Sequence, residues 1–326
     1  MRYIYNTSTD PYFNLAAEEY ALENFKDDVF MLWVNRDVIV VGRNQNTVSE
    51  INSEYVSREG IAVVRRLTGG GAVFHDKGNL NFTFIRDNKA DFSDFSRFAA
   101  PIIGALNEIG VNAQLSGRND LTIDGKKFSG NAQCVYKDRL LHHGTLMLNI
   151  TLDRLAKALN VDSEKIQSKA IKSVRSRVTN INEHLQAPLD IPQFVRIITD
   201  YIRKTGQDFY EYRLTAQDIE GINRLADEKY RTWEWNYGQS PKYNFKKKMR
   251  LPSGGMEAFL QVENGIITNA RLFGDYFGER DIGELETLLI GVKHNPDEMS
   301  LALQNIDINK YFLGATRRDI VAALYY

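Results

Sequence analysis

A single cysteine, Cys134, is all the thiol that 326 residues contain. An intramolecular disulfide is therefore impossible, and so is a thiolate metal cluster. A surplus of either charge is also missing: 41 Lys and Arg stand against 42 Asp and Glu, a formal net charge of -1. The basic excess with which duplex-binding proteins neutralise phosphates is absent, which argues against a nucleic-acid partner and leaves room only for a local basic patch. No apolar run reaches the length that spans a bilayer. The opening "MRYIYNTSTDPYFNLAAEEY" has neither an apolar signal core nor an Arg-rich, acid-poor presequence. These absences lead to the expectation of a cytoplasmic protein with no membrane partner, in which "NTS", "NFT" and "NIT" match the glycosylation pattern by chance.

Hydrophobic residues make up 43% of the chain and charged residues 25%, the balance of a soluble globular protein with a sizeable core. The length suits one large domain, or a large and a small one. "MRYIYN" reads as a strand and "DPYFNLAAEEYALENF" as a helix with Asp10 as N-cap and Pro11 at its first position. Two β-rich runs in "DVFMLWVNRDVIVVG" surround Asn35, Arg36 and Asp37 and predict a hairpin. "INSEYVSREG" predicts a short helix ended by Gly60, and "FSDFSRFAAPIIGALNEIG" a helix kinked or started by Pro101 and closed by Gly110. Short strands and turns fill 111–150, including an Asp124-Gly125 turn, and "LDRLAKAL" and "IPQFVRIITDYIRKTG" carry the three-and-four apolar spacing of amphipathic helices. Around "WEWNYGQSPKYNFKKKMRLPSGG" the periodicity fades, after which "MEAFLQVENGIITNARLFGDYF" predicts a hairpin with Asn264-Gly265 as a type I′ turn. The expected architecture is α+β, a mixed β-sheet with flanking helices over 1–245 and a small C-terminal α+β accessory domain over 246–326.

Four stretches carry chemistry. "RRLTGGGAVFHDKGN" sets Arg65 and Arg66 beside Gly69, Gly70 and Gly71, between the apolar "IAVV" and the alternating "LNFTFI". Neither a Walker phosphate loop nor a dinucleotide fingerprint fits, since a strand and no helix follows the glycines. A glycine-rich hairpin turn explains the glycines alone, but two guanidinium forks beside pliable backbone suit a phosphate or carboxylate. In "NLNFTFI", Leu80, Phe82 and Phe84 face one side, and Asn81 and Thr83 the other. "SGRNDLTIDGKKFSGNAQ" places Asn119 and Asp120 across a turn from Lys127, just before the small-residue bend at Ser129, Gly130 and Asn131. Lys127 is either a solvated hairpin lysine or a point charge in a partly closed site. In "LLHHGTLMLNI" adjacent histidines of a strand point to opposite faces, so at most one lines a given pocket and a metal pair is disfavoured. The five cations of "KIQSKAIKSVRSRVTN", residues 165–180, form a solvated helical face or a basic segment that folds over a nucleotide or docks an acidic partner.

Taken in order and at these intervals, "RRLTGGGAVFHD", "SGRNDL", "KKFSGNA", "HHGTL" and "SVRSRVTN" resemble lipoate–protein ligase, and the likeness runs from "DPYFNLAAEE" through "WEWNYGQSP". The resemblance implies a fold shared with biotin ligases plus a small lid domain. It also implies a two-step reaction: lipoate and ATP with Mg2+ give lipoyl-adenylate and pyrophosphate, and a lysine ε-amine on an acceptor domain then displaces AMP. By motif, Arg66, Gly71, Ala72, Val73 and Phe74 match the nucleotide-binding segment, and Lys127 matches the lysine that touches both the lipoyl carbonyl and the α-phosphate. Arg65, Gly70, His75, His143 and Thr145 would border the lipoyl arm, with Leu15 and Trp33 as apolar walls. Asn119, Asp120 and Ala132 would lie near ribose and phosphate, and residues 165–180 match a loop that closes over the adenylate. No dedicated metal site is implied: magnesium is expected through the triphosphate, with Asp120 as a candidate ligand. The implied partners are apo lipoyl domains of 2-oxoacid dehydrogenase E2 subunits and the glycine cleavage H protein, and the implied state is a monomer. Two rivals are set against this. One is an octanoyltransferase of the same fold, which would need Cys134 as an activated thiol; the other is a lipoyl- or nucleotide-binding protein without catalysis.

Overall fold

The computed structural model describes residues 1–87, 89–117, 119–159, 176–206, 209–238 and 244–325. The chain divides into two compact units. The first comprises Met1–Val40, Glu50–Val64 and Val73–Thr232, and the second Val41–Ser49, Arg65–Ala72 and Trp233–Tyr326.

In the first unit the strands β1 (Arg2–Asn6), β2 (Val29–Val34), β6 (Asn79–Arg86), β7 (Ala113–Ser116), β8 (Asp120–Ile123), β9 (Lys126–Tyr136), β10 (Arg139–Met147) and β11 (Tyr210–Glu211) form one sheet in the order β11-β1-β2-β6-β10-β9-β8-β7. The β1 pairings to β2 and β11 are parallel and the rest antiparallel, the expected mixed sheet. The alternation in "NLNFTFI" is realised. Leu80, Phe82 and Phe84 join a buried cluster with Phe98, Ile102, Phe194 and Ile198, contributed by helices Phe95–Glu108 and Ile191–Lys204. Thr83, on the opposite face, bonds to Glu18 of the helix Pro11–Asn24. Helices thus cover both faces, and the polar side of β6 is buried. That N-terminal helix begins as expected, with Asp10 Oδ1 accepting from Tyr12 N–H and Pro11 at the first position.

A second, smaller sheet has the order β4 (Ala62–Arg65), β3 (Val38–Val41), β5 (Val73–His75). It corrects two expectations. The runs around Asn35–Asp37 are no hairpin: β2 pairs with β1 and β6, whereas β3 lies between β4 and β5. Both runs are buried on both faces, so neither carries the alternation that would mark a two-stranded partner. The glycine-rich stretch is likewise no hairpin turn, because β4 and β5 flank β3 and do not pair. Pro101 does not start its helix, which runs Phe95–Glu108 with Asp94 as N-cap and the proline inside.

The second unit carries the antiparallel sheet β12 (Phe245–Leu251), β13 (Gly254–Glu263), β14 (Ile266–Gly274) and the helices Ile282–Leu289, Pro296–Ala302 and Arg317–Tyr325. Asn264 and Gly265 both have positive φ, 50° and 77°, as the predicted β13–β14 turn requires. Leu251, Met256, Leu260, Leu272, Leu285, Met299, Phe312 and Ile320 build its own apolar core. Among the described residues no helix is long and apolar enough to cross a membrane.

Candidate active site

In the first unit the chemistry gathers on the β8–β9 hairpin and on the polar face of β6 and β10. Asp124 and Gly125 turn the hairpin with φ of 49° and 75°. The register shifts between Leu121 and Thr122, opposite Lys127, and such a bulge re-aims the side chains around it. Lys127 Nζ lies 2.8 Å from Asp120 Oδ1, each side chain 38% exposed. A Cβ on Gly130 would stand 3.0 Å from that ammonium, so the missing side chain gives the lysine its resting place. Thr145 Oγ1 accepts from Gly130 N–H at 3.1 Å and fixes the bend. Beside it, Asn119 Nδ2 donates to Asn131 O and Asn131 Nδ2 donates back to Asn119 O, which locks the loop entering β8 against β9. Asn119, Asp120, Lys127 and Thr145 are therefore neighbours, and Ala132 is paired with His143 across β9 and β10.

The two histidines separate as strand geometry demands. His142 is fully buried, stacked on Phe98, with Gln133 and Asn131 at its two nitrogens. Burial, reinforced by the neighbouring His143, holds its pKa well below 6.5, so it is neutral. His143 faces the other way, with Nδ1 2.9 Å from Glu18 Oε1. Glu18 Oε1 also accepts from Thr83 Oγ1 at 2.6 Å, and Trp33 Nε1 donates to that hydroxyl at 3.1 Å. Trp33, Thr83, Glu18 and His143 thus form one buried polar chain, and Leu15 lies one helical turn before Glu18. His75 Nδ1 is 3.2 Å from the Asn35 amide, which is held in turn by Asn14. Val73 and Phe74 sit in β5, paired with Val40 and Ile39. Sequence reasoning missed Glu18, Asn35 and His142 as members of these chains. Glu18 gave a signal, an acid among helix positions that are buried and, Asn14 apart, apolar, but its partners come from strands 65 and 125 residues away.

Cys134 lies opposite Leu141 in the β9–β10 ladder, half-buried. Seven residues along a strand separate it from Lys127, about 23 Å at the usual rise. Of the basic stretch 165–180, residues 165–175 lie outside the described residues.

In the second unit, Arg65 was expected to border a ligand, but its guanidinium is 1% exposed and fully engaged. It donates to the carbonyls of Gly42, Arg43, Gln45, Trp235 and Asn236 and to Thr47 Oγ1. Burial, which strips the guanidinium of water, pushes its pKa down to about 10. Arg66 braces the glycine loop from inside, donating to Thr68 Oγ1, Gly69 O and Gly71 O. Gly70 has φ of 89°, and a Cβ on Gly69 would stand 2.6 Å from Tyr276 O, whereas Gly71 has open space. Across the loop a Cβ on Gly42 would stand 1.9 Å from Gly70 O. Gly71 and Ala72, exposed and half-buried, complete the segment. Among the described residues no three His, Cys, Asp or Glu side chains gather as a metal site.

Two family models match the chain: the lipoyl protein ligase A/B catalytic domain over residues 10–203 and the bacterial lipoate protein ligase C-terminus over 240–324. Lipoate–protein ligase 1 of Staphylococcus aureus is 46% identical over 326 residues, covering 98% of this chain and 99% of that protein. The crystal structure of Plasmodium falciparum LipL1 in complex with lipoate superposes with a TM-score of 0.81 at 26% identity, over 94% of this chain and 95% of that one. A lipoate-protein ligase A bound with ATP gives a TM-score of 0.65 at 26% identity, covering 73% of this chain and 99% of that chain. With both halves of the sequence matched and the mixed sheet in place, the chain belongs to the lipoate–protein ligase family.

Proposed function

We propose that the chain is an ATP-dependent lipoate–protein ligase. The lipoate carboxylate attacks the α-phosphate of ATP to give lipoyl-adenylate and pyrophosphate. The ε-amine of a lysine on an apo lipoyl domain then attacks the acyl carbon, and AMP leaves. The observation that carries the reading is Lys127, held at a β-bulge over Gly130 with its side chain 38% exposed and its ammonium beside Asp120.

The first step brings two anions together, so its barrier contains Coulomb repulsion that a fixed ammonium lowers. In the second step the same ammonium stabilises the negative charge that grows on the acyl oxygen. Arg66 sets the curvature of the glycine loop, leaving Gly71, Ala72, Val73 and Phe74 to take the nucleotide, while Asn119, Asp120 and Ala132 serve ribose and phosphate. Leu15, Trp33, Gly70, His75, His143 and Thr145 border the lipoyl arm, with Glu18 and Thr83 fixing the polar wall. Arg65 is reassigned from ligand contact to support of the loop. The Asp120 carboxylate suits one ligand of magnesium, whose remaining ligands would be phosphate oxygens and water, and the cation would neutralise the triphosphate. Residues 1–245 act as the catalytic body and 246–326 as an accessory domain, working as a monomer in the cytoplasm. The acceptors are 2-oxoacid dehydrogenase E2 subunits and the glycine cleavage H protein.

The test is the intact mass of an apo lipoyl domain after incubation with the protein, ATP, magnesium and lipoate. A gain of one lipoyl group that disappears when ATP is omitted supports the reading. An unchanged mass with ATP present, or an acyl gain without it, refutes the reading.

A further inference from the structure

We infer that Thr179, backed by His184, is a positioning residue for Lys127, an inference that rests on the assignment of Lys127 as the catalytic lysine. The ladder of β10 on β9 runs only from Asn131 to Tyr136, so it leaves the earlier part of β9 without that neighbour. At Lys127 the place is taken by residues 178 and 179. Val178 forms an isolated parallel bridge with Lys127, and Thr179 N–H donates to Lys127 C=O at 2.9 Å. The lysine backbone is therefore gripped on one edge by β8 at its bulge and on the other by Thr179.

Thr179 is itself held. It is 1% exposed, with Oγ1 3.2 Å from Glu183 Oε2 and 2.9 Å from His184 Nε2. A carboxylate only accepts, so the hydroxyl donates to Glu183 and its oxygen accepts from His184 Nε2–H. The other nitrogen, Nδ1, lies 3.7 Å from Asp124 Oδ2, at the turn of the very hairpin that carries Lys127. Next in sequence, Asn180 is clamped to Ile150: its Nδ2 donates to Ile150 O at 3.1 Å and its Oδ1 accepts from Ile150 N–H at 2.8 Å. The hydroxyl thus orients the amide that holds one of the two edges of the lysine backbone. An ammonium at the end of four methylenes magnifies any tilt of that base, and displacement of about 1 Å can cost up to ~10²-fold in rate.

The test uses the full chain and follows pyrophosphate release with ATP, magnesium and lipoate for Thr179→Val and Thr179→Ser, each alone and combined with Lys127→Ala. Thr179→Val is expected to lower kcat about tenfold, the scale of one lost hydrogen bond, with KM for ATP and lipoate within about twofold. Thr179→Ser, which keeps the hydroxyl, restores kcat. In the Lys127→Ala background Thr179→Val costs nothing further, because the group it positions is gone. His184→Leu, which leaves Thr179 intact, gives the same pattern and stands in should Thr179→Val fail to fold. An equal loss with and without Lys127, or a KM effect in place of the kcat effect, overturns the inference and leaves the assignment of Lys127 standing. A wild-type rate in Lys127→Ala alone overturns both.

Discussion

Replacing Arg65 with methionine separates two readings of the double arginine. Were Arg65 a ligand residue, its loss would weaken lipoate binding and leave the fold alone. Its six hydrogen bonds point to the opposite outcome. On removal, Gly42 O keeps the amide of Gln45, and Asn236 O keeps the Thr47 hydroxyl. Arg43 O, Gln45 O and Trp235 O lose the donor that Arg65 provides. Gln45 O is buried, at ~1–3 kcal/mol for an acceptor left unmatched, whereas the half-buried Arg43 and Trp235 each lose one bond at ~0.5–1.5 kcal/mol, a gross cost of roughly 2–6 kcal/mol. Burying a thioether in place of a cation returns part of this, since the desolvation of the guanidinium is no longer incurred, so a net loss of about 3 kcal/mol is expected. For a chain of 326 residues that lowers the unfolding midpoint by roughly 4–5 °C. Differential scanning calorimetry without ligands measures it, with lipoate titration at a temperature where the variant is folded as companion. Arg65→Lys recovers less than half, because a single ammonium has three donors against acceptors spread over residues 42–47 and 235–236. A midpoint within about 2 °C of the parent, coupled to a tenfold loss of lipoate affinity, would refute the structural role.

Three further outcomes follow from the geometry. Lys127→Ala should lower the rate of adenylate formation by about 10²–10³-fold, the usual cost of one transition-state donor, read by pyrophosphate release; a rate within threefold of the parent contradicts its role. His142, whose folded pKa is depressed below 6.5, is neutral in the fold and gains a proton on unfolding, so stability is full above pH 6.5 and falls as pH drops below it. Denaturant titrations between pH 7 and 5 should show that component, at most about 1.4 kcal/mol per pH unit, vanish in His142→Gln; an identical pH slope in both proteins contradicts the assignment. Gly42→Ala places a carbon where Gly70 O stands, so the loop must shift; ATP affinity by calorimetric titration should fall about tenfold or more, and an unchanged affinity would show that the loop shape does not matter for the nucleotide.

Local rules reached far into this chain because much of its order is local. The Asp10-Pro11 helix start and the two turns with paired positive φ at Asp124-Gly125 and Asn264-Gly265 are settled within four residues. The period-2 pattern of β6 and the opposed faces of His142 and His143 depend only on the pleat. What failed is what depends on distant strands. Nothing in "DVFMLWVNRDVIVVG" reveals that its halves enter different sheets, since both are apolar throughout and a period that would set a partner is missing. Arg65 misled for a related reason. A cation beside glycines looks available until five carbonyls, two of them 170 and 171 residues away, turn toward it.

The position of Lys127 also explains why an ammonium suits this place better than a guanidinium. Its space is bounded by the absent side chain of Gly130, 3.0 Å from where a Cβ would sit, and by Asp120 at 2.8 Å. A guanidinium is a flat fork that meets one carboxylate well and is then committed in direction, as Arg65 and Arg66 are to their carbonyls. An ammonium has no preferred plane, and rotation about its last bonds re-aims three donors at little cost. The proposed reaction asks one cation to serve a carboxylate and a phosphate first and an acyl oxygen afterwards, in different directions, from a base that does not move. A rigid backbone grip on a freely swivelling charge meets both demands, and Lys127→Arg should therefore be far from conservative: it keeps the charge and loses the swivel.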